Sequence, residues 1–171
     1  MTLQGLHHIA YKCADPEQTR AFYEDLLGLP MVLTLELSRK PSTGEPETYY
    51  FHFFFEMADG SCIAFFDLAD NEMPQRGANV PSWTNHLAMR VDDMATLRNY
   101  RSRLEGAGVK VDGEIDHEFC RSIYFFDPNG VRLEITCDTL AEGFVEKSRA
   151  EARGSFDRWL ERRVGLEQAA L

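Results

Sequence analysis

Two stretches decide the fold: His8-Ile-Ala-Tyr-Lys-Cys-Ala-Asp15 and His86-Leu-Ala-Met-Arg-Val-Asp-Asp93. Each reads His, aliphatic, Ala, four further residues and Asp, so the chain carries one unit twice. Ile9, Tyr11 and Cys13 alternate with Ala10 and Lys12, and Leu87, Met89 and Val91 alternate with Ala88 and Arg90. Period two of this kind marks a strand with one buried face. An apolar strand face needs helices to cover it, which turns His8 and His86 to the opposite, concave side. A helix start follows each strand. Asp15 is placed to cap, Pro16 fits the first helical position and Gln18 completes a capping pattern, while Asp93 is the cap of the second unit. Phe22 with Leu26 and Tyr23 with Leu27 form one core-facing stripe, and Met94, Leu97, Tyr100 and Leu104 form the other. Gly28 and Pro30 stop the first helix, and Gly106 and Gly108 the second.

Three strand-like segments follow each helix. In the first unit they span roughly 31–39, 48–57 and 61–68, with a turn at Ala58-Asp59-Gly60; in the second, roughly 109–115, 119–126 and 131–137, with a turn at Asp127-Pro128-Asn129-Gly130. The pattern predicts an α+β fold: two tandem βαβββ modules forming a curved mixed sheet around a metal site, plus a C-terminal helix. The expected divisions are a first module over 1–68, a linker over 69–84, a second module over 85–137 and a helical tail over 138–171, all within one structural domain. In the tail, Leu140, Phe144, Phe156, Leu160 and Val164 fall at spacings of four, with a break expected at Gly154.

Composition narrows the function classes. Eighteen Lys and Arg against twenty-eight Asp and Glu give a net charge of −10, which repels phosphate backbones and anionic lipid. No nucleic-acid or membrane partner is expected. No apolar run approaches the ~20 residues that span a bilayer, and the N-terminus shows no basic region followed by an apolar stretch. The expected address is the cytoplasm. Cys13, Cys62, Cys120 and Cys137 are scattered without a C-x-x-C pair, as suits reduced thiols in that compartment.

Strand parity also brings chemistry together. In the last strand Val131, Leu133 and Ile135 alternate with Arg132, Glu134 and Thr136, so Glu134 points away from the helices, as His8 and His86 do. The matching position of the first unit is Ala64. A single strand His suits a hydrogen-bonded pocket position as well as a ligand. Two at the same place in two repeats, with a carboxylate on the closing strand, favour a metal site. His8, His86 and Glu134 are the expected ligands. Two imidazoles and one carboxylate suit Fe(II) and leave open coordination positions; Mn(II) and Zn(II) are the alternatives. His52 and Phe54 share the parity of Tyr124 and, with Phe66, either line an aromatic-walled substrate pocket or pack as core. Parity alone does not separate the two.

These units resemble the vicinal oxygen chelate superfamily, which includes glyoxalase I, fosfomycin-resistance proteins, bleomycin-binding proteins and extradiol ring-cleavage dioxygenases. The likeness covers residues 5–137. Within it, Ile115-Asp116-His117, a five-residue spacer, Ile123-Tyr124-Phe125-Phe126-Asp127-Pro128-Asn129-Gly130 and then Glu134 resemble the extradiol dioxygenase signature. That resemblance implies Glu134 as a metal ligand, His117 as an acid–base residue beside the metal, and Tyr124 as a hydrogen-bond donor to substrate. The Asp-Pro-Asn-Gly turn is widespread in the superfamily; His117 with Tyr124 is the discriminating part.

The activity so implied is metal-dependent, extradiol-type cleavage of a catecholic ring, with a small aromatic diol and O2 as substrates and a homodimer as the assembly. Three other readings compete. A glyoxalase-like isomerase would want a fourth protein ligand where Ala64 stands. A fosfomycin-resistance-like enzyme would want a cationic pocket, to which Lys12, Arg90, Arg121 and Arg132 are available. A non-catalytic small-molecule-binding protein would keep the triad as a vestige.

Overall fold

The computed structural model describes residues 4–39, 48–73, 81 and 83–169. Its first half runs β1 (His8–Cys13), α1 (Pro16–Arg20), a π-helical continuation (Ala21–Leu26), β2 (Met31–Arg39), β3 (Thr48–Glu56) and β4 (Cys62–Asp67). Its second half runs β5 (Leu87–Val91), α2 (Met94–Gly106), β6 (Asp112–Asp116), β7 (Cys120–Phe126) and β8 (Arg132–Asp138), followed by α3 (Phe144–Ala169). The βαβββ order is therefore present twice. Residues 74–80 and 82 of the expected linker lie outside the described residues.

The strands form two four-stranded sheets, ordered β1-β4-β3-β2 and β5-β8-β7-β6. In each, the opening strand pairs parallel with the closing strand and the other pairings are antiparallel. The registers coincide: Phe54 lies opposite Ala64 in one sheet and Tyr124 opposite Glu134 in the other. The mixed sheet read from the sequence thus comes as two separate halves.

Local chemistry starts each helix as expected. Asp15 accepts a hydrogen bond from Gln18 N at 2.9 Å, and the Gln18 amide side chain returns one to Asp15 at 2.9 Å. Asp93 accepts from Thr96 N at 2.7 Å. The first helix departs from α geometry after Arg20. Leu27 N donates to Phe22 O at 2.9 Å, five residues back, and this wider turn still buries Phe22, Tyr23 and Leu27. Gly28 then reverses the chain at φ +79°. β6 begins later than its apolar pattern suggests, because Val109 N closes the end of α2 on Leu104 O at 3.0 Å.

One core serves both halves. Tyr23, Phe53, Phe55, Ile63 and Phe65 from the first pack with Leu97, Leu104, Ile123, Phe125 and Leu133 from the second. Tyr23, Leu97 and Leu104 come from the helices, and the strand residues lie on the sheet faces that those helices cover. The Asp127-Pro128-Asn129-Gly130 turn fastens the halves to each other. Tyr23 donates its hydroxyl to Asp127 at 3.0 Å, the Asn129 amide donates to Thr19 Oγ1 at 3.0 Å, and Ala14 N donates to the Asn129 carbonyl at 3.1 Å. Asp127 also accepts from Val131 N. Replacing Asp127 by Ala removes the carboxylate that accepts from the Tyr23 hydroxyl and the Val131 amide, at ~1–3 kcal/mol for each buried bond lost. We expect a loss of roughly 2–4 kcal/mol in urea unfolding; an unchanged midpoint would contradict this account of the turn.

α3 runs without a break through Gly154. A mid-helix glycine costs only about 1 kcal/mol, which neighbouring helix formers and the Arg153–Asp157 pair offset. Among the described residues no helix is long and apolar enough to cross a membrane. All four cysteines are free thiols; Cys13, Cys120 and Cys137 are buried, and burial pushes Cys13 up to about 11.

Candidate metal and substrate site

The faces turned away from the common core carry the expected site residues. On β8, Glu134 follows Arg132 on the same face, beside Ala88 of β5 and Tyr124 of β7. His86, just before β5, reaches Glu134: its Nε2 lies 2.9 Å from Oε2, with the carboxylate side chain 8% exposed and the imidazole 32% exposed. A carboxylate so deeply buried needs a compensating partner. The imidazole supplies one here, and two such donors side by side are also what a borderline divalent cation takes up. Two of the three expected ligands are thus adjacent in one chain.

Tyr124 connects this pair to His117. Its hydroxyl and His117 Nε2 are hydrogen-bonded at 2.8 Å, and its ring meets His86 edge-on with centroids 5.8 Å apart. Burial first, and the Glu134 carboxylate second, hold the Tyr124 phenol above its usual range, so it keeps its proton through neutral pH. Four of the expected residues, His86, Glu134, Tyr124 and His117, are therefore gathered on the second sheet.

The other four gather on the first. His52 stacks on Phe66 with centroids 3.7 Å apart and planes 5° from parallel, and lies 4.2 Å from Phe54. His8 meets Phe54 at 5.5 Å and His52 at 6.4 Å. The His52 Nδ1–H donates to Phe65 O at 2.9 Å, which fixes the orientation of the ring. Phe53 and Phe55 join the common cluster, whereas His52 and Phe54, though also buried, and Phe66 lie outside it on the other face. Ala64 is fully buried opposite Phe54 and offers no ligand.

The two groups do not meet within one chain. Among the described residues, no three His, Cys, Asp or Glu side chains gather closely enough to hold a metal ion. His8 instead shares a 2.7 Å contact, Nδ1 to Nδ1, with its neighbour His7. His7 was not singled out in the sequence. It precedes β1, so strand parity does not govern its side chain, and the adjacent His-His pair was its only signal. Concavities of about 340 and 150 Å³ lie elsewhere, and neither is lined by His86, Glu134 or Tyr124. The site face of the first sheet is instead open: Leu33, Leu35 and Leu37 of β2, in register with Phe54, His52 and Tyr50, are 36–45% exposed.

Comparison with known proteins places this geometry in context. Residues 5–135 match the profile of the Glyoxalase/Bleomycin resistance protein/Dioxygenase superfamily. MhqA of Bacillus subtilis (strain 168), described as a candidate ring-cleaving dioxygenase, is 29% identical over 148 residues, covering 84% of this chain. The chain spans only 43% of that relative's length. The metallothiol transferase FosB of Lysinibacillus sphaericus (strain C3-41) is 22% identical, with 83% of this chain and 88% of FosB covered. Among solved structures, the fosfomycin resistance protein FosX of Listeria monocytogenes, complexed with Mn(II) and sulfate, shares the fold. Its TM-score is 0.56 at 24% identity, over 81% of this chain and 96% of FosX.

Proposed function

This chain belongs to the Glyoxalase/Bleomycin resistance protein/Dioxygenase superfamily, and from that premise we propose that it is a metal-dependent extradiol-type dioxygenase that cleaves a catecholic ring with O2. The observation that carries the reading is the 2.8 Å His117–Tyr124 contact beside the His86–Glu134 pair. That combination is what the extradiol signature requires and what a glyoxalase-like isomerase does not need. The ring-cleaving description of MhqA supports it.

His86 and Glu134 of one chain, with His8 of a second copy, would hold Fe(II), and the same donors suit Mn(II) or Zn(II). Bound there, the ion would acidify a chelated hydroxyl and bring diol and O2 together. A homodimer that lays the first sheet of one copy over the second sheet of the other completes the triad. It also covers the open Leu33-Leu35-Leu37 row, and it sets His52, Phe54 and Phe66 as walls for a flat ring. His117 would then give or take a proton at the substrate oxygen, the general acid–base role. Tyr124 stays a phenol and donates its hydrogen bond to the same region.

Anaerobic reconstitution with Fe(II), followed by oxygen uptake with a panel of catechols, tests this reading. Uptake stoichiometric with ring cleavage is the expected result. The span of FosB covered favours one second reading, a fosfomycin-resistance-like, metal-dependent transferase. Turnover of an epoxide with no oxygen uptake from any diol would establish it instead. Within the dioxygenase reading, His117→Phe lowers turnover about 100-fold, the usual acid–base contribution, and leaves metal content intact. Unchanged turnover would return His117 to the role of a loop residue.

A further inference from the structure

Arg132 stands two residues before Glu134 on β8, on the same face, with Phe126 of β7 opposite it. Its guanidinium carbon lies 4.7 Å from the centre of the Tyr124 ring, a cation over an aromatic face. Its Nε is buried and has no hydrogen-bond partner among the described residues. Five other arginines, Arg20, Arg98, Arg101, Arg121 and Arg153, each lie against a carboxylate. Of the four cations available for an anion pocket, Lys12 is held by Asp70 at 2.7 Å, Arg121 is held by Asp116 at 2.9 Å, and Arg90 lines the separate concavity of about 150 Å³. Arg132 has no such partner, because Glu134 is taken by His86.

A guanidinium with a buried, unanswered N–H is a standing cost unless something else supplies the acceptor. Stacking on Tyr124 restricts the planar fork, so less freedom is lost when a carboxylate engages it. Tyr124 in turn meets His86 edge-on and bonds His117, so the cation shares a ring with both imidazoles. Phe126, 45% exposed, offers an apolar surface alongside. The chain as a whole is strongly acidic, so an anionic ligand needs a local cation to be accepted at all.

We propose that Arg132 binds an anionic substituent of the substrate, which makes the substrate class aromatic diols that carry a carboxylate. This rests on the dioxygenase reading above and narrows it. Arg132 is a binding and specificity residue, and the two diol oxygens are left to the metal ligands.

The test compares 3,4-dihydroxybenzoate with catechol on the Fe(II)-reconstituted full chain, by kcat/KM for oxygen uptake. Binding of 3,4-dihydroxybenzoate is also measured anaerobically by calorimetry. Wild type should prefer the acid by ~10-fold or more, the scale of a charge-assisted bidentate hydrogen bond. In Arg132→Met the ratio should collapse toward one and the acid should bind at least ~10-fold more weakly, with metal content unchanged. Arg132→Lys, which keeps charge and length but loses the fork, should retain part of the preference and guards against a folding defect in the Met variant. Equal use of both diols by wild type overturns the inference while the dioxygenase stands. If no diol supports oxygen uptake, the dioxygenase reading falls. The anion site then survives only if calorimetry still shows the Arg132-dependent loss. Methylphosphonate bound through Arg132 more tightly than the carboxylated diol would also overturn the carboxylate assignment.

Discussion

Replacing Glu134 by Ala abolishes stoichiometric metal binding, and all turnover with it. Glu134 is the only carboxylate among the three expected ligands, and its Oε2 is 2.9 Å from His86 Nε2. Without it two neutral imidazoles remain, and the anionic donor that offsets the charge of a divalent ion is gone. The loss should not come from unfolding. Removing a buried carboxylate relieves a desolvation cost, and His86, 32% exposed, can turn to solvent. The expected result is a folded protein by circular dichroism with no metal by elemental analysis after reconstitution. Wild-type metal content in Glu134→Ala would remove the basis for the assignment.

Mixing two dead variants should restore activity. His8 lies with His52, Phe54 and Phe66 on the first sheet, and Glu134 lies with His86 and Tyr124 on the second. If each site takes one sheet from each of two copies, His8→Ala and Glu134→Ala homodimers are both inactive. A mixed dimer then has one site with both residues intact and one with neither. After unfolding and refolding an equal mixture, random pairing makes half the dimers mixed, so about a quarter of wild-type activity should return. A site built within one chain gives no recovery at all. Persistent inactivity of the mixture, with mixed dimers demonstrated by differential tagging, would exclude the shared site.

Much of the architecture was legible in the residues. Period-two alternation in the two His-bearing stretches, Asp caps at 15 and 93, and glycines past each helix all report local sterics and hydrogen bonding, which a short window contains. The equivalence of Ala64 and Glu134 was legible for the same reason, since it follows from counting between matching turns, and the registers bear it out. Less local features were not. The π turn at Ala21–Leu26 arises where Phe22, Tyr23 and Leu27 fit one core made by both halves, and no helical window reports that demand.

By itself, then, the sequence determined two βαβββ units, their strand faces and which side chains share each face, because these depend on alternation and short-range geometry. Only the tertiary structure decided how the faces are disposed. Packing of the helix-side surfaces into one core leaves His8 and Glu134 on separate sheets, stacks His52 on Phe66, and seats Arg132 on Tyr124 with its Nε unanswered. Alternation says which way a side chain points from its own sheet; it carries no information on where another sheet will lie.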